Sequence, residues 1–203
     1  TRKMNVVVTG ASGLLGRAVV QEFSRTGHSV TGIVYSRVPK QDESDADDGN
    51  TTKVSFVKCD LRDHDAFLAV CEKAKPDVII HCAAERRPDQ CADNPEAATE
   101  LNVSVSEHVA KVAKAVGSWL LYISTDYVFD GTQSPYKANA PTNPLNLYGK
   151  TKLQGEVAVR AIKSDAGVLR VPVLYGEVER ASESSVSALL DTVLLSATSG
   201  DTV

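Results

Sequence analysis

The sequence has no apolar run approaching the ~18 residues that a membrane-spanning helix needs, which excludes a helical span. It has no basic block either: 22 lysines and arginines against 26 aspartates and glutamates leave a net charge of −4. A mildly acidic chain gives no electrostatic ground for nucleic acid or an anionic membrane as partner. No C-x-x-C pair occurs among Cys59, Cys71, Cys82 and Cys91, each of which sits in or beside an apolar stretch. Reduced thiols in a cytosolic protein are the economical expectation. The histidines (His28, His64, His81, His108) lack metal-ligand spacing, so no metal site is expected. No signal peptide is visible, because the first apolar run is short and leads straight into glycines. The expected location is the cytoplasm, a nuclear pool being compatible.

What is present is an alternation. With 42% hydrophobic residues in 203, the chain suits one soluble globular domain with a fragment of a second. Strand-like runs at residues 5–9, 29–34, 54–58, 77–81, 119–123 and 168–174 alternate with helix-length segments at 14–26, 63–75, 95–116 and 147–162. Pro76 and Gly117 close two of these helices, and Pro172 kinks the last strand or puts it at an edge. Residues 41–52 are too polar to bury and read as a surface loop. A weaker pattern at 183–195 is compatible with one helix, and the tail from 196 reads as frayed. Such alternation predicts an α/β fold, a doubly wound parallel sheet of the Rossmann type. The expected division is a nucleotide-binding domain over 1–180 and the start of an incomplete C-terminal region over 181–203.

Gly10, Gly13 and Gly16 form G-x-x-G-x-x-G between the first strand and the first helix. Glycine there permits a tight turn and lets backbone N–H groups approach a pyrophosphate at the helix N-terminus. The bland alternative is an ordinary glycine turn. A nucleotide site selective for NAD usually ends its second strand with Asp or Glu. Tyr35-Ser36-Arg37 stands there instead, with Arg17 nearby, so NADP(H) is favoured. Alternatively, Arg37 merely begins a solvated loop. Asp60, after the third strand, is either an acceptor for an adenine amino group or a helix cap.

Tyr148 and Lys152 stand one helical turn apart and share a helix face. An ammonium near a phenol favours phenolate, and a phenol so tuned can pass a proton to or from a carbonyl or alcohol oxygen. Ser124-Thr125-Asp126, ending an apolar run, offers a hydroxyl for the same oxygen. An isolated Y-x-x-x-K is most often a surface tyrosine beside a solvated lysine; the glycine loop and the hydroxyl favour a site here.

GASGLLG, Asp60-Leu61, Cys82-Ala83-Ala84, Ser124-Thr125-Asp126-Tyr127 and Tyr148-Gly149-Lys150-Thr151-Lys152 occur in the order found in the extended short-chain dehydrogenase/reductases, and the chain resembles that superfamily. STDYVFDGT (124–132), PLNLYGKTKLQGE (144–156) and LRVPVLYGE (169–177) are similar to the dTDP-4-dehydrorhamnose reductase family. HCAAERRPD (81–89) and LRVPVLYGEVE (169–179) are similar to its regulatory branch, whose members bind NADP and associate with the catalytic subunit of methionine adenosyltransferase. The resemblance covers residues 3–193. It implies cofactor contacts from Ser12, Gly13, Leu14, Leu15, Tyr35, Ser36, Arg37, Asp60, Leu61, Cys82, Tyr148 and Leu174. It places Thr125, Tyr148 and Lys152 at the superfamily's active-site positions, where Lys152 also holds the nicotinamide ribose. Threonine at 125 is what the reductases are expected to carry, and serine is expected in the regulatory branch. Relatives are expected to continue well past residue 203.

Two functions compete. One is a non-catalytic NADP-binding regulator of S-adenosylmethionine synthesis, supported by the Glu85-Arg86-Arg87 cluster expected beside the cofactor cleft. The other is an NADPH-dependent reductase of a 4-keto sugar nucleotide using Thr125, Tyr148 and Lys152. A redox sensor that changes partner with NADP(H) occupancy is a third, weaker reading.

Overall fold

A computed structural model describes residues 2–39 and 54–199 of the chain; the expected acidic loop at 41–52 lies outside the described residues. Among the described residues, six strands form one parallel sheet in the order β3-β2-β1-β4-β5-β6. They are β1 Asn5–Thr9, β2 Ser29–Val34, β3 Val54–Lys58, β4 Val78–His81, β5 Trp119–Thr125 and β6 Gly167–Val171. All five pairings are parallel, Val7 lying beside Thr31 on one side and Ile79 on the other. The doubly wound expectation holds, and the strand order reverses between β1 and β4.

β-Branched runs make these strands, and both faces of the sheet are buried, so the apolar residues are continuous rather than alternating. In β1, Val7 packs with Phe67, Ile79, Val109, Leu120 and Val159, whereas Val6 and Val8 pack with Val20, Val30 and Ile123. The first group is covered by α2 (His64–Ala74), α5 (Val105–Ala115) and α6 (Leu147–Ile162), and the second by α1 (Leu14–Arg25). Asp63 caps α2 by accepting from the Ala66 N–H at 3.0 Å. Asn146 caps α6 through the Gly149 N–H at 2.8 Å. Short side-chain acceptors satisfy N–H groups that the first helical turn leaves unpaired.

Several boundaries differ from expectation. The helix expected over 95–116 is α4 (Pro95–Thr99), a π turn at Glu100–Ser104 and then α5. A short α3 (Pro88–Asp93), started by a proline at its first position, was not expected. β6 ends at Val171, because Pro172 has no N–H to continue a ladder. The last helix, α7, runs over Ser185–Ser199, so residues 196–199 are helical rather than frayed.

The π turn presents Asn102, fully buried, to two neighbours. Its amide donates to the Glu85 carbonyl and to Thr151 Oγ1, both at 3.0 Å, and its oxygen accepts from the Glu85 N–H at 2.8 Å. The loop after β4 is thereby fixed to α6. Gly155 of α6 lies against this turn, and a Cβ there would overlap the Tyr122 hydroxyl and the Asn102 carbonyl oxygen. Gly155→Ala is therefore expected to destabilise the fold by ~1–3 kcal/mol through overpacking, measured by urea denaturation. An unchanged midpoint would mean that α6 does not depend on this close approach.

Candidate functional site

The sheet reversal leaves a crevice outside the C-terminal ends of β1 and β4, the usual ligand position in open α/β sheets. It opens into a cavity of about 640 Å³. Of the expected site residues, only Ser36 and Arg37 fall outside its lining; Ser36 is exposed, and Arg37 stands at the rim.

The three glycines have different roles. Gly10 has φ +66°, and a Cβ on it would lie 2.8 Å from the Ala83 nitrogen, so the turn after β1 abuts the turn after β4. A Cβ on Gly16 would overlap the Gly10 carbonyl. Gly13 is under no such demand: it has extended φ, and a Cβ would meet only the Gly10 oxygen at 3.3 Å. Gly13 is the N-cap of α1 and offers no side-chain cap to the helix start. Its bare backbone faces the cleft, an arrangement suited to an anion at a helix N-terminus. This cradle, which a side chain would fill, fits a dinucleotide pyrophosphate.

Thr125, Tyr148 and Lys152 converge on the inner end of the cleft. Thr125, 4% exposed, ends β5, and its Oγ1 accepts from the Tyr127 N–H at 3.2 Å. Ser124 is spent elsewhere: its hydroxyl donates to Glu156, which also forms a two-point pair with Arg170 at 2.9 and 2.6 Å. Of the two adjacent hydroxyls, Thr125 is thus the one that serves the site. Tyr148 meets the Tyr127 ring edge-on at 5.7 Å.

The expected lowering of Tyr148 by Lys152 is not found. Burial pushes the Tyr148 phenol up, with the Thr125 hydroxyl pulling the other way. The Lys152 ammonium instead lies over the Tyr122 ring, 4.2 Å from its centroid. Lys152 is 2% exposed and burial brings it down to about 7. Beside it, burial pushes the Cys82 thiol up to about 12. Burial likewise holds His81 down to about 3, with the charge of Lys152 adding to the effect. Neutral His81 joins Thr9 Oγ1 at 2.6 Å to Ser106 Oγ at 3.1 Å, and Ser106 donates to the Asn102 carbonyl at 2.8 Å. Asn102, Tyr122 and His81 thus support the site, and none of them is among the expected site residues. The signal available was polar residues inside otherwise apolar segments.

At the other end of the cleft, Asp60 is not the cap of α2. It is held by Arg62, at 2.7 Å for the closest contact, and Arg62 reaches the Tyr35 hydroxyl at 3.2 Å. Arg62 holds the Asp60 carboxyl below its ordinary value, mainly by hydrogen bonding. Arg37 donates to the Ser12 carbonyl at 2.6 Å, and so does Arg17 at 3.0 Å. Both arginines also meet Glu183, which is not among the expected site residues. Of the 85–87 cluster, Glu85 and Arg87 pair at 3.2 Å while Arg86 lines the cleft. Among the described residues no group of three potential ligands could hold a metal ion.

Lys152 has a consequence for stability. Between its value of about 7 and the ordinary 10.5, the unfolded chain holds more protons than the folded one. Stability therefore rises with pH in that window. The rise is expected between pH 7 and about 9, above which cysteine thiols ionise in the unfolded chain. Urea midpoints at both pH values should show it in the native sequence and not in Lys152→Met; the same pH dependence in both would contradict the buried amine.

Comparison with known proteins gives consistent matches. The profile of the RmlD substrate binding domain matches residues 4–195. Methionine adenosyltransferase 2 subunit beta of Xenopus tropicalis is 50% identical over 190 residues, covering 94% of this chain and 53% of that protein. A dTDP-4-dehydrorhamnose reductase of Mycolicibacterium smegmatis is 36% identical, covering 84% of this chain and 46% of its own length. A crystal structure of dTDP-4-dehydrorhamnose reductase from Bacillus anthracis in complex with NADP superposes with a TM-score of 0.72 at 26% identity, covering 95% of this chain and 60% of that one. The chain thus spans about half the length of the curated relatives it matches.

Proposed function

Because the chain belongs to the RmlD substrate binding domain family, we propose that it is the NADP-binding part of a regulatory beta subunit of methionine adenosyltransferase. In this reading it modulates S-adenosylmethionine synthesis by the catalytic subunit, its partner in a hetero-oligomer, in the cytoplasm. The observation that carries the reading is 50% identity across 94% of the chain to a relative named as that subunit, against 36% across 84% for a reductase. Among the described residues, no helix is long and apolar enough to cross a membrane, and this is compatible with that location.

The cleft supports NADP as the cofactor. Gly13 and the start of α1 would hold the pyrophosphate, Arg37 and Arg17 the 2′-phosphate, and Tyr148 and Lys152 the nicotinamide ribose. A bound nicotinamide would supply or accept hydride. Residues 1–180 form the nucleotide-binding domain in this account, and 181–203 begin a further region. Exposed Leu189, Leu190 and Val186 on α7, each more than half accessible, support that division.

A second reading is favoured by one observation: Thr125, Tyr148 and Lys152 line the same cleft. A reductase of a 4-keto sugar nucleotide would use Tyr148 Oη as proton donor, Thr125 to orient the carbonyl and Lys152 to hold charge nearby. A phenol pushed up by burial keeps its proton at neutral pH, as a donor requires. Residues that grip a ribose would look the same, so the set alone does not separate the readings.

Two assays separate them. In the regulatory reading, adding the protein changes the rate of S-adenosylmethionine synthesis by the catalytic subunit, and dTDP-4-keto-6-deoxy sugars elicit little NADPH oxidation. Rapid sugar-dependent oxidation that is lost in Tyr148→Phe, with no effect on the synthetase, would overturn it. For the cofactor, Gly13→Val is expected to abolish NADP binding while leaving the fold near native, whereas Gly16→Val should unfold the turn itself. Calorimetric titration with circular dichroism checks both, and a folded Gly13→Val chain with native NADP affinity would exclude this placement of the pyrophosphate.

A further inference from the structure

The segment beyond β6 returns to the cleft and meets its cationic rim. One Glu183 oxygen accepts from Arg17 at 2.6 Å and the other from Arg37 at 2.8 Å, and the side chain is only 12% exposed. Glu179 pairs with Arg37 too and lies 3.8 Å from Arg17. The Glu179 N–H donates to Glu183 at 3.1 Å, so the two carboxylates belong to one folded strap. Arg86 donates to the Ser182 carbonyl at 3.0 Å, and the Ser184 hydroxyl to the Leu174 carbonyl at 3.3 Å. Arginines following three different strands, β1, β2 and β4, therefore hold residues 177–184 against the cleft, and Glu183 and Ser184 form part of its wall.

A carboxylate whose two oxygens bridge two guanidinium groups makes the same contacts that a phosphate would make with them. We propose that the strap is a charge latch occupying the 2′-phosphate subsite, and that Glu183 is a specificity-determining residue that opposes NADP while leaving NAD unaffected. The proposal rests on the reading of Arg37 as the 2′-phosphate reader. A phosphate dianion and the two carboxylates cannot share Arg17 and Arg37 without like-charge repulsion, so NADP enters by releasing the strap. NAD carries only a hydroxyl at that position, which can donate to a carboxylate and leaves the latch shut. The identity of the bound nucleotide is thereby converted into the position of the segment that leads into α7.

The experiment measures NADP and NAD affinity for the 203-residue chain, Glu183→Gln and Arg37→Ala, with hydrogen–deuterium exchange of residues 177–184 in the native chain. Glu183→Gln is expected to bind NADP roughly tenfold more tightly, with NAD unchanged. Exchange in the strap should rise on adding NADP and stay constant with NAD. Unchanged or weaker NADP binding by Glu183→Gln, or a strap that becomes more protected with NADP, overturns the latch. Should Glu183→Gln fail to fold, Glu179→Gln and the exchange measurement still decide. An Arg37→Ala chain that keeps its preference for NADP overturns the cofactor reading itself. Loss of that preference together with an inert Glu183→Gln overturns only the latch.

Discussion

One buried amine sets the character of this cleft. Lys152 sits 2% exposed on α6, above the face of Tyr122 and, among the described residues, in no ion pair. An ammonium taken out of water without a carboxylate is held near neutrality, and its surroundings respond to it. The same burial keeps His81 neutral and Cys82 and Tyr148 protonated, so the inner end of the cleft is a set of uncharged donors around a single titrating amine. Glu156, the nearest acid on the same helix, is already committed to Ser124 and Arg170. Glu156 acts on Lys152 only through space, and among the described residues no side chain forms an ion pair with it; an anionic ligand in the cleft would neutralise it, and a ligand hydroxyl could accept its hydrogen bond.

The opposite end follows contrary logic. There, Arg17 and Arg37 are fully engaged, their charge met by Glu179 and Glu183 from a distant part of the chain. Between the two ends lies the glycine turn, in which Gly10 and Gly16 are required by backbone packing and Gly13 is left free to face a ligand. The cleft thus has an unneutralised inner end, a bare helix terminus and an outer end with an internal anion already in place.

The sheet was legible because its strands are short apolar runs punctuated by glycine and proline, and parallel connections leave few alternatives. The glycine turn and the 148–152 spacing were legible for the same reason: local geometry is written in adjacent residues. What the sequence did not reveal is long-range. The π turn that places Asn102 between Glu85 and Thr151 has no local breaker to announce it, since residues 95–116 carry a continuous helical pattern. Glu183 meets Arg37 across 146 positions, and no spacing rule connects them. The Tyr148 phenol rises rather than falls because i,i+4 spacing gives proximity but not burial, and burial dominates here. Of the two alternatives for Asp60, the cap falls to Asp63, and Asp60 lines the cleft with its carboxylate held by Arg62, two residues on.

The central claim is that Lys152 is a buried, near-neutral amine awaiting an anionic or hydroxyl-bearing ligand. Side-chain NMR of the lysine Nζ, assigned through Lys152→Arg, titrates it directly with and without NADP. The account predicts a midpoint of about 7 in the free chain and a marked rise when NADP is bound. A midpoint at the ordinary lysine value in the free chain, or one that NADP does not move, would contradict it.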